Sequence, residues 1–127
     1  KKIIKKKLSI GNYYTKKLSL ISDKINLPLT SVKYCKNIHW VYGVVIKDNI
    51  KLNASKAIQI LKKNGIDCRP FFYPMHLQPC FKATTQSLLS LGNAERLTEL
   101  GFYLPSSPSL PHDTINEICD ILLRVSD

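Results

Sequence analysis

Apolar and lysine positions alternate along the first twenty-one residues with the spacing of a helix. Ile3, Ile4, Leu8, Ile10, Tyr14, Leu18 and Ile21 share one face and lysines fill most of the rest. The pattern predicts an amphipathic helix with Gly11 as a weak point near its middle. Such a helix packs on the body of its own protein; the alternative, a helix lying on a membrane surface, would have only Tyr13 and Tyr14 as aromatic anchors. Residues 22–37 read as a polar connector around Asn26 and Pro28. The clearest strand follows at residues 37–47. Trp40, Tyr42, Val44 and Ile46 point one way and Val41, Gly43 and Val45 the other, and two apolar faces place this strand inside a sheet.

Asp48-Asn49 turns the chain, and Asn53 is a good N-cap for a helix in which Ala54, Ala57, Ile58 and Leu61 share a face. Asn64-Gly65 supplies its C-cap. A second strand is expected over residues 66–73, and Pro70, which cannot donate to a ladder, makes it an edge or kinked strand. Residues 74–79 should form an ordered irregular loop, and the low-complexity-like residues 83–91 a mobile connection. Asn93 is expected to cap a short helix over 94–100 that Gly101 stops, before a third strand at 102–104. Three prolines stiffen residues 105–111, and a last helix over 112–125 buries Ile115, Ile118, Cys119, Leu122 and Val125. This order predicts an α/β (α+β) architecture, a small sheet of three or four strands covered by helices.

At 127 residues and 44% hydrophobic, the chain has the size and composition of one globular domain. No apolar run approaches the roughly 18–20 residues of a membrane-spanning helix, and the basic start lacks the apolar stretch of a secretory signal. Cys35, Cys68, Cys80 and Cys119 form no CxxC and no finger spacing, so reduced thiols, a cytoplasmic location and no metal site are expected. The only methionine is Met75, and without an initiating Met the chain reads as a fragment.

The net charge of +10 is unevenly spread. Residues 1–24 carry eight Lys against one acid and residues 25–82 nine basic side chains against two acids, whereas residues 83–127 carry two Arg against six acids. A basic first two-thirds can meet nucleic acid, an anionic membrane surface or a phosphorylated small molecule, or can simply be a solvated lysine face. A nucleic-acid-binding module would use the first helix for phosphates and Tyr13, Tyr14 or Trp40 for stacking. No RNA-binding signature accompanies them, and the helix needs its apolar face for packing.

The densest chemistry lies between Asp67 and Cys80, where Arg69, Tyr73 and His76 fall within eight positions on a strand end and a proline-stiffened loop. Side chains on such a segment converge with little loss of entropy on binding. Arg69 is a fork for phosphate or carboxylate, His76 a donor or proton carrier, and Tyr73 a hydrogen-bond donor with an apolar body. Each alone would read as structural; together they balance a binding site evenly against packing. His39 reads as packed and His112 as exposed. Ser106, Ser107 and Ser109 lack a GxSxG elbow, and no Walker loop, GxGxxG or HExxH occurs, so no complete catalytic apparatus is present.

Residues 39–46 (HWVYGVVI), 64–79 (NGIDCRPFFYPMHLQP) and 101–110 (GFYLPSSPSL) resemble, in order and spacing, the C-terminal small domain of the DegT/DnrJ/EryC1/StrS family of pyridoxal-phosphate-dependent sugar aminotransferases. The Arg-Pro-Phe-Phe-Tyr-Pro-x-His form looks most like the perosamine synthase subgroup. The resemblance implies the C-terminal domain of the aspartate-aminotransferase type of fold, with residues 1–24 as the helix leading in from a large domain and residues 25–127 as the small domain. It also implies amino transfer, usually from glutamate, to a nucleotide-linked 4-keto-6-deoxy sugar for glycan biosynthesis, in a homodimer. By the same resemblance Tyr73 and His76 face cofactor and sugar and Arg69 meets the substrate's phosphates. The family's Schiff-base lysine, its pyridinium-pairing aspartate and most of its phosphate cup belong to the large domain and are absent here, so the chain alone is expected to be inactive. A non-catalytic remnant or a regulatory partner is the other reading of such a piece.

Overall fold

The computed structural model describes residues 1–81 and 91–125. Its centre is a four-stranded sheet, entirely antiparallel, in the order β1-β4-β6-β5. These strands are β1 (Ile25–Asn26), β4 (Tyr42–Ile46), β5 (Arg69–Pro70) and β6 (Gly101–Leu104), while β2 (Ser31–Val32) and β3 (Cys35–Lys36) form a separate hairpin. Tyr42 pairs with Leu104 and Val44 with Phe102, and directly paired residues share a face. That face, with Ile25 and Ile46, is buried under the helices. Gly43, Val45 and Tyr103 line the opposite, partly open face.

Among the described residues four helices cover the sheet: α1 (Lys2–Leu18), α2 (Ala54–Lys63), α3 (Gly92–Leu100) and α4 (His112–Val125). In α2 the predicted caps are both present. Asn53 Oδ1 accepts from the Lys56 backbone N–H at 2.9 Å. At the other end Gly65, at φ +80°, lets its own N–H reach Lys62 O while Ile66 N–H reaches Leu61 O, the paired bonds of a Schellman ending. Helix α4 buries Ile115, Ile118, Cys119 and Leu122 as its periodicity requires; Val125's side chain lies outside the described residues.

The hub of the core joins α1 to β4. Tyr14 and Tyr42 are fully buried with ring centroids 4.8 Å apart. Both phenols are satisfied, Tyr14 by donating to Pro105 O at 2.8 Å and Tyr42 by pairing with Thr15 Oγ1 at 2.8 Å. Burial raises both phenols, Tyr42 to about 12. A second seam joins α1 to α4, where Tyr13 stacks on exposed His112 at 4.2 Å and donates to Asn116 Oδ1.

Several expectations are corrected. The connector at residues 22–37 holds β1 and the β2–β3 hairpin; Ile25 gains a place in the core by pairing with Ile46, and two-residue strands are too short to show alternation. The central strand begins at Tyr42, not residue 37, because His39 takes φ +51° and breaks the extended run; Trp40 is consequently 69% exposed rather than inward with Tyr42. The second strand shrinks to Arg69–Pro70, at the sheet edge as Pro70 requires, and residues 75–81 form two short 3-10 turns. Leu91, not Asn93, sits at the N-cap of α3, with no side-chain capping bond. Ile3 and Ile4 are exposed because α1 meets the body only from its second turn onward. The expected connection at residues 83–90 lies outside the described residues.

Gly11 is a packing requirement rather than a weak point. A Cβ built there would lie 2.3 Å from the ring of His39, which is 2% exposed and held at its backbone N–H by Asn37 Oδ1 at 2.8 Å. Neither imidazole nitrogen has a hydrogen-bond partner among the described residues. Burial first, and the Lys7 charge second, lower the affinity of this ring for a proton. Gly11→Ala gains about 1 kcal/mol of helix propensity but incurs overlap of about 1–3 kcal/mol or more. We therefore expect net destabilisation in thermal melts, relieved when His39→Ala is added, as a double-mutant cycle would report. Because His39 has a folded-state proton affinity below its unfolded one, the unfolded chain protonates first as pH falls. Its contribution to stability should therefore be complete above the ordinary imidazole range and decline as pH drops through about 6.5. Melts between pH 7.5 and 5.5 should show a shallower decline for His39→Asn, a residue that tolerates the left-handed backbone.

Candidate functional site

The segment from Arg69 to His76 leaves the sheet edge and crosses its open face. Only two residue pairs join β5 to β6, so other contacts must hold it. Phe71 supplies the main one. Its backbone N–H donates to Gly101 O at 3.2 Å, and its ring lies over two glycines, where a Cβ on Gly43 would come within 2.9 Å and one on Gly101 within 2.6 Å. The ring also stacks on Tyr103 at 4.5 Å, with Phe72 edge-on to the same tyrosine at 6.2 Å. Gly43 and Gly101 thus open a slot in the sheet that the phenylalanine fills.

Arg69 is exposed and pairs directly with Tyr103, so the two side chains leave the sheet on the same, open face. Arg69 and Tyr103 line a hollow of about 190 Å³ with Val41, Asp67, Leu104 and Pro105. A fork-shaped cation at the rim of such a hollow suits phosphate or carboxylate. His76 lies elsewhere, on the 3-10 turn Met75–Leu77, where it lines an apolar cleft of about 360 Å³ with Pro74, Met75, Phe81, Leu91 and Ala94. Its Nε2 meets Glu95 Oε1 at 2.8 Å. Tyr73 lies between Arg69 and His76 in sequence and is 57% exposed. Arg69, Tyr73 and His76 therefore share one segment, but Arg69 and His76 line separate hollows and Tyr73 lines neither.

Three residues at this site were not singled out by the sequence. Tyr103 faces Arg69 only because of the β5–β6 register, which the sequence does not fix. Glu95 and Thr98 act from α3, Thr98 by donating to Phe72 O at 3.1 Å. A helix bearing polar residues three apart beside the Arg69–His76 segment was the available signal. On the same helix Arg96 grips Asp48 with a bidentate fork, Nε to Oδ1 at 2.8 Å and Nη2 to Oδ2 at 2.5 Å, which holds the Asp48 carboxyl below its usual range.

Lys7 and the two buried thiols contribute little chemistry of their own here. Lys7 is half-buried, and burial lowers its proton affinity, but its Nζ is engaged by Ser106 O at 2.5 Å. Burial pushes the Cys68 and Cys119 thiols up to about 12, which removes them as nucleophiles near neutral pH. Among the described residues no group of three or more His, Cys, Asp or Glu side chains could hold a metal ion, and no helix is long and apolar enough to cross a membrane.

Comparison with known proteins places this geometry. The sequence model of the DegT/DnrJ/EryC1/StrS aminotransferase family matches residues 1–123. The GDP-perosamine synthase of Vibrio cholerae is 26% identical over 122 residues, covering 95% of this chain and 32% of that protein. The GDP-perosamine synthase of Caulobacter vibrioides is 25% identical over 116 residues, 91% of this chain and 30% of that protein. Among solved structures, a putative sugar aminotransferase from Streptococcus pneumoniae, Spr1654 in its PMP form, superposes with a TM-score of 0.85 at 17% identity, over 98% of this chain and 31% of that one. Helicobacter pylori PseC, an aminotransferase of pseudoaminic acid biosynthesis, gives 0.83 at 15% identity, over 97% and 32%. At these identities the structural likeness establishes the fold, the α+β arrangement of a small antiparallel sheet and helices that aminotransferases of this type contain. The chain spans about a third of the length of the relatives it matches. It belongs to the DegT/DnrJ/EryC1/StrS aminotransferase family.

Proposed function

We propose that this chain is the C-terminal small-domain part of a pyridoxal-phosphate-dependent aminotransferase. The complete enzyme passes an amino group from glutamate to the keto group of a nucleotide-linked 4-keto-6-deoxy sugar, in the manner of the perosamine synthases, and works as a homodimer. The observation that carries this reading is the family match across residues 1–123, which spans the whole Arg69–His76 segment. In it α1 is the helix that leads from the large domain, and the open face bearing Arg69 and Tyr73 turns towards the substrate.

The residues present do not make a holding site for pyridoxal phosphate by themselves. The lysine most affected by burial, Lys7, is committed to Ser106, and the lysines of the first helix otherwise lie on or near its solvated side. When bound by the complete enzyme, the cofactor supplies the electron sink and the amino carrier. This chain contributes binding and orientation. Arg69 pairs with the phosphates of the nucleotide sugar, Tyr103 beside it offers a phenol and a flat apolar surface, and Tyr73 and His76 offer hydrogen bonds towards the sugar end.

Mixed with pyridoxal phosphate, the isolated chain should develop no protein-bound cofactor absorbance, and borohydride should fix no cofactor at a single lysine. Specific fixation at one lysine would show that the chain holds the cofactor unaided. Supplied with a large domain in trans, it should restore amino transfer to a GDP- or UDP-linked 4-keto sugar. In that reconstituted enzyme Arg69→Lys should raise KM for the nucleotide sugar by about tenfold with little change in kcat, the signature of a lost bidentate phosphate contact. An unchanged KM would remove Arg69 from the phosphate site.

A further inference from the structure

Helix α3 grips the candidate segment at two points. Glu95 and Thr98 are three positions apart and so lie on one face of the helix. Thr98 Oγ1 donates to the carbonyl of Phe72, and Glu95 Oε1 lies 2.8 Å from His76 Nε2. Between them Arg96 forks onto Asp48, which anchors the same helix at the far end of β4. A backbone carbonyl and a side chain of the segment are thus both held by one helix, itself tied to the end of β4.

The backbone under His76 is fixed by its own turn, with Leu77 N–H to Pro74 O and Gln78 N–H to Met75 O both at 3.1 Å. Those bonds do not touch the imidazole. Glu95 does. A carboxylate can only accept, so Nε2 carries the hydrogen in this pair, and the contact favours one ring orientation and the tautomer with its hydrogen on Nε2. Stability does not explain the pair: the Glu95 side chain is 49% exposed, and ion pairs so open to water contribute little. The His76 side chain is only 16% exposed, so it sits within the fold while its partner reaches in from the surface.

We propose that Glu95 is a positioning residue, holding the His76 imidazole in one orientation and in the Nε2–H tautomer for the reaction. The proposal rests on the reading of His76 as a residue that faces substrate or cofactor, and it has a readout that does not depend on activity. The chain has three histidines, so labelling their rings with 15N and recording long-range proton–nitrogen spectra at pH 8 resolves each tautomer. His76 should be dominated by the Nε2–H form in the parent chain and become a mixture in Glu95→Ala. Glu95→Gln should restore the parent pattern, because the amide oxygen accepts the same hydrogen. Glu95→Asp, whose carboxylate is drawn back by one methylene, should fall between and serves if the alanine variant does not fold. Unchanged signals from His39 and His112 report that the fold is intact. His76 signals identical in the parent chain, Glu95→Ala and Glu95→Asp would overturn the proposal.

In the reconstituted enzyme Glu95→Ala should lower kcat by up to about 100-fold with KM little changed, and Glu95→Gln should recover most of it. If the His76 signals move while kcat does not, the contact stands but the catalytic purpose given to it is overturned, and with it the place of His76 in the site.

Discussion

The fit of one phenylalanine ring over two glycines governs where the candidate chemistry lies. Phe71 closes over Gly43 and Gly101 and stacks on Tyr103, and this fixes the direction in which the chain leaves β5. A β5 strand of only two residues could not do so, since hydrogen bonds at a frayed edge exchange readily with water. The slot is also unforgiving. A methyl group on Gly43 or Gly101 would overlap the ring, and the displacement would pass to Arg69 two residues before Phe71 and to Tyr73 two residues after it. Apolar packing thus sets the positions of polar groups that do not themselves touch one another.

Behind the sheet, the Tyr14–Tyr42 stack does comparable work for the other half of the molecule. It links the first helix to the central strand, and through the Tyr14 hydroxyl to Pro105 it links both to the loop after β6. Lys7 reaches the neighbouring Ser106 carbonyl from the same helix. Two residues of α1 therefore hold the proline-rich loop that continues from Tyr103 and Leu104. The helix with the densest positive charge is in this way part of the scaffold that supports the rim of the Arg69 hollow, and its apolar face is occupied in doing so.

The sequence made some of this legible and hid the rest for definable reasons. Helix α2 could be read from Asn53 and Gly65 because a side-chain cap and a left-handed ending are local events. The edge position of β5 could be read from Pro70 for the same reason. By contrast β1 consists of two residues and has no period to detect, and the left-handed backbone at His39 goes with its packing against Gly11, a contact between residues 28 positions apart. At the site, Arg69, Tyr73 and His76 could be named because they are close in sequence. Tyr103 and Glu95 could not, because their roles follow from strand register and from the docking of α3. Periodicity and element order supplied a small sheet covered by helices, and family resemblance supplied the type of fold.

Pro70 has a further consequence for the sheet as a whole. The bond from Phe71 N–H to Gly101 O and the pairing of Arg69 with Tyr103 put the intervening residue's nitrogen on the outer side of β5. A proline there leaves the inner ladder intact and removes a donor from the outer edge, where another strand would otherwise find one. The residue that shortens β5 also makes this border of the sheet a poor template for uncontrolled strand addition, a form of protection against aggregation built into the approach to the site.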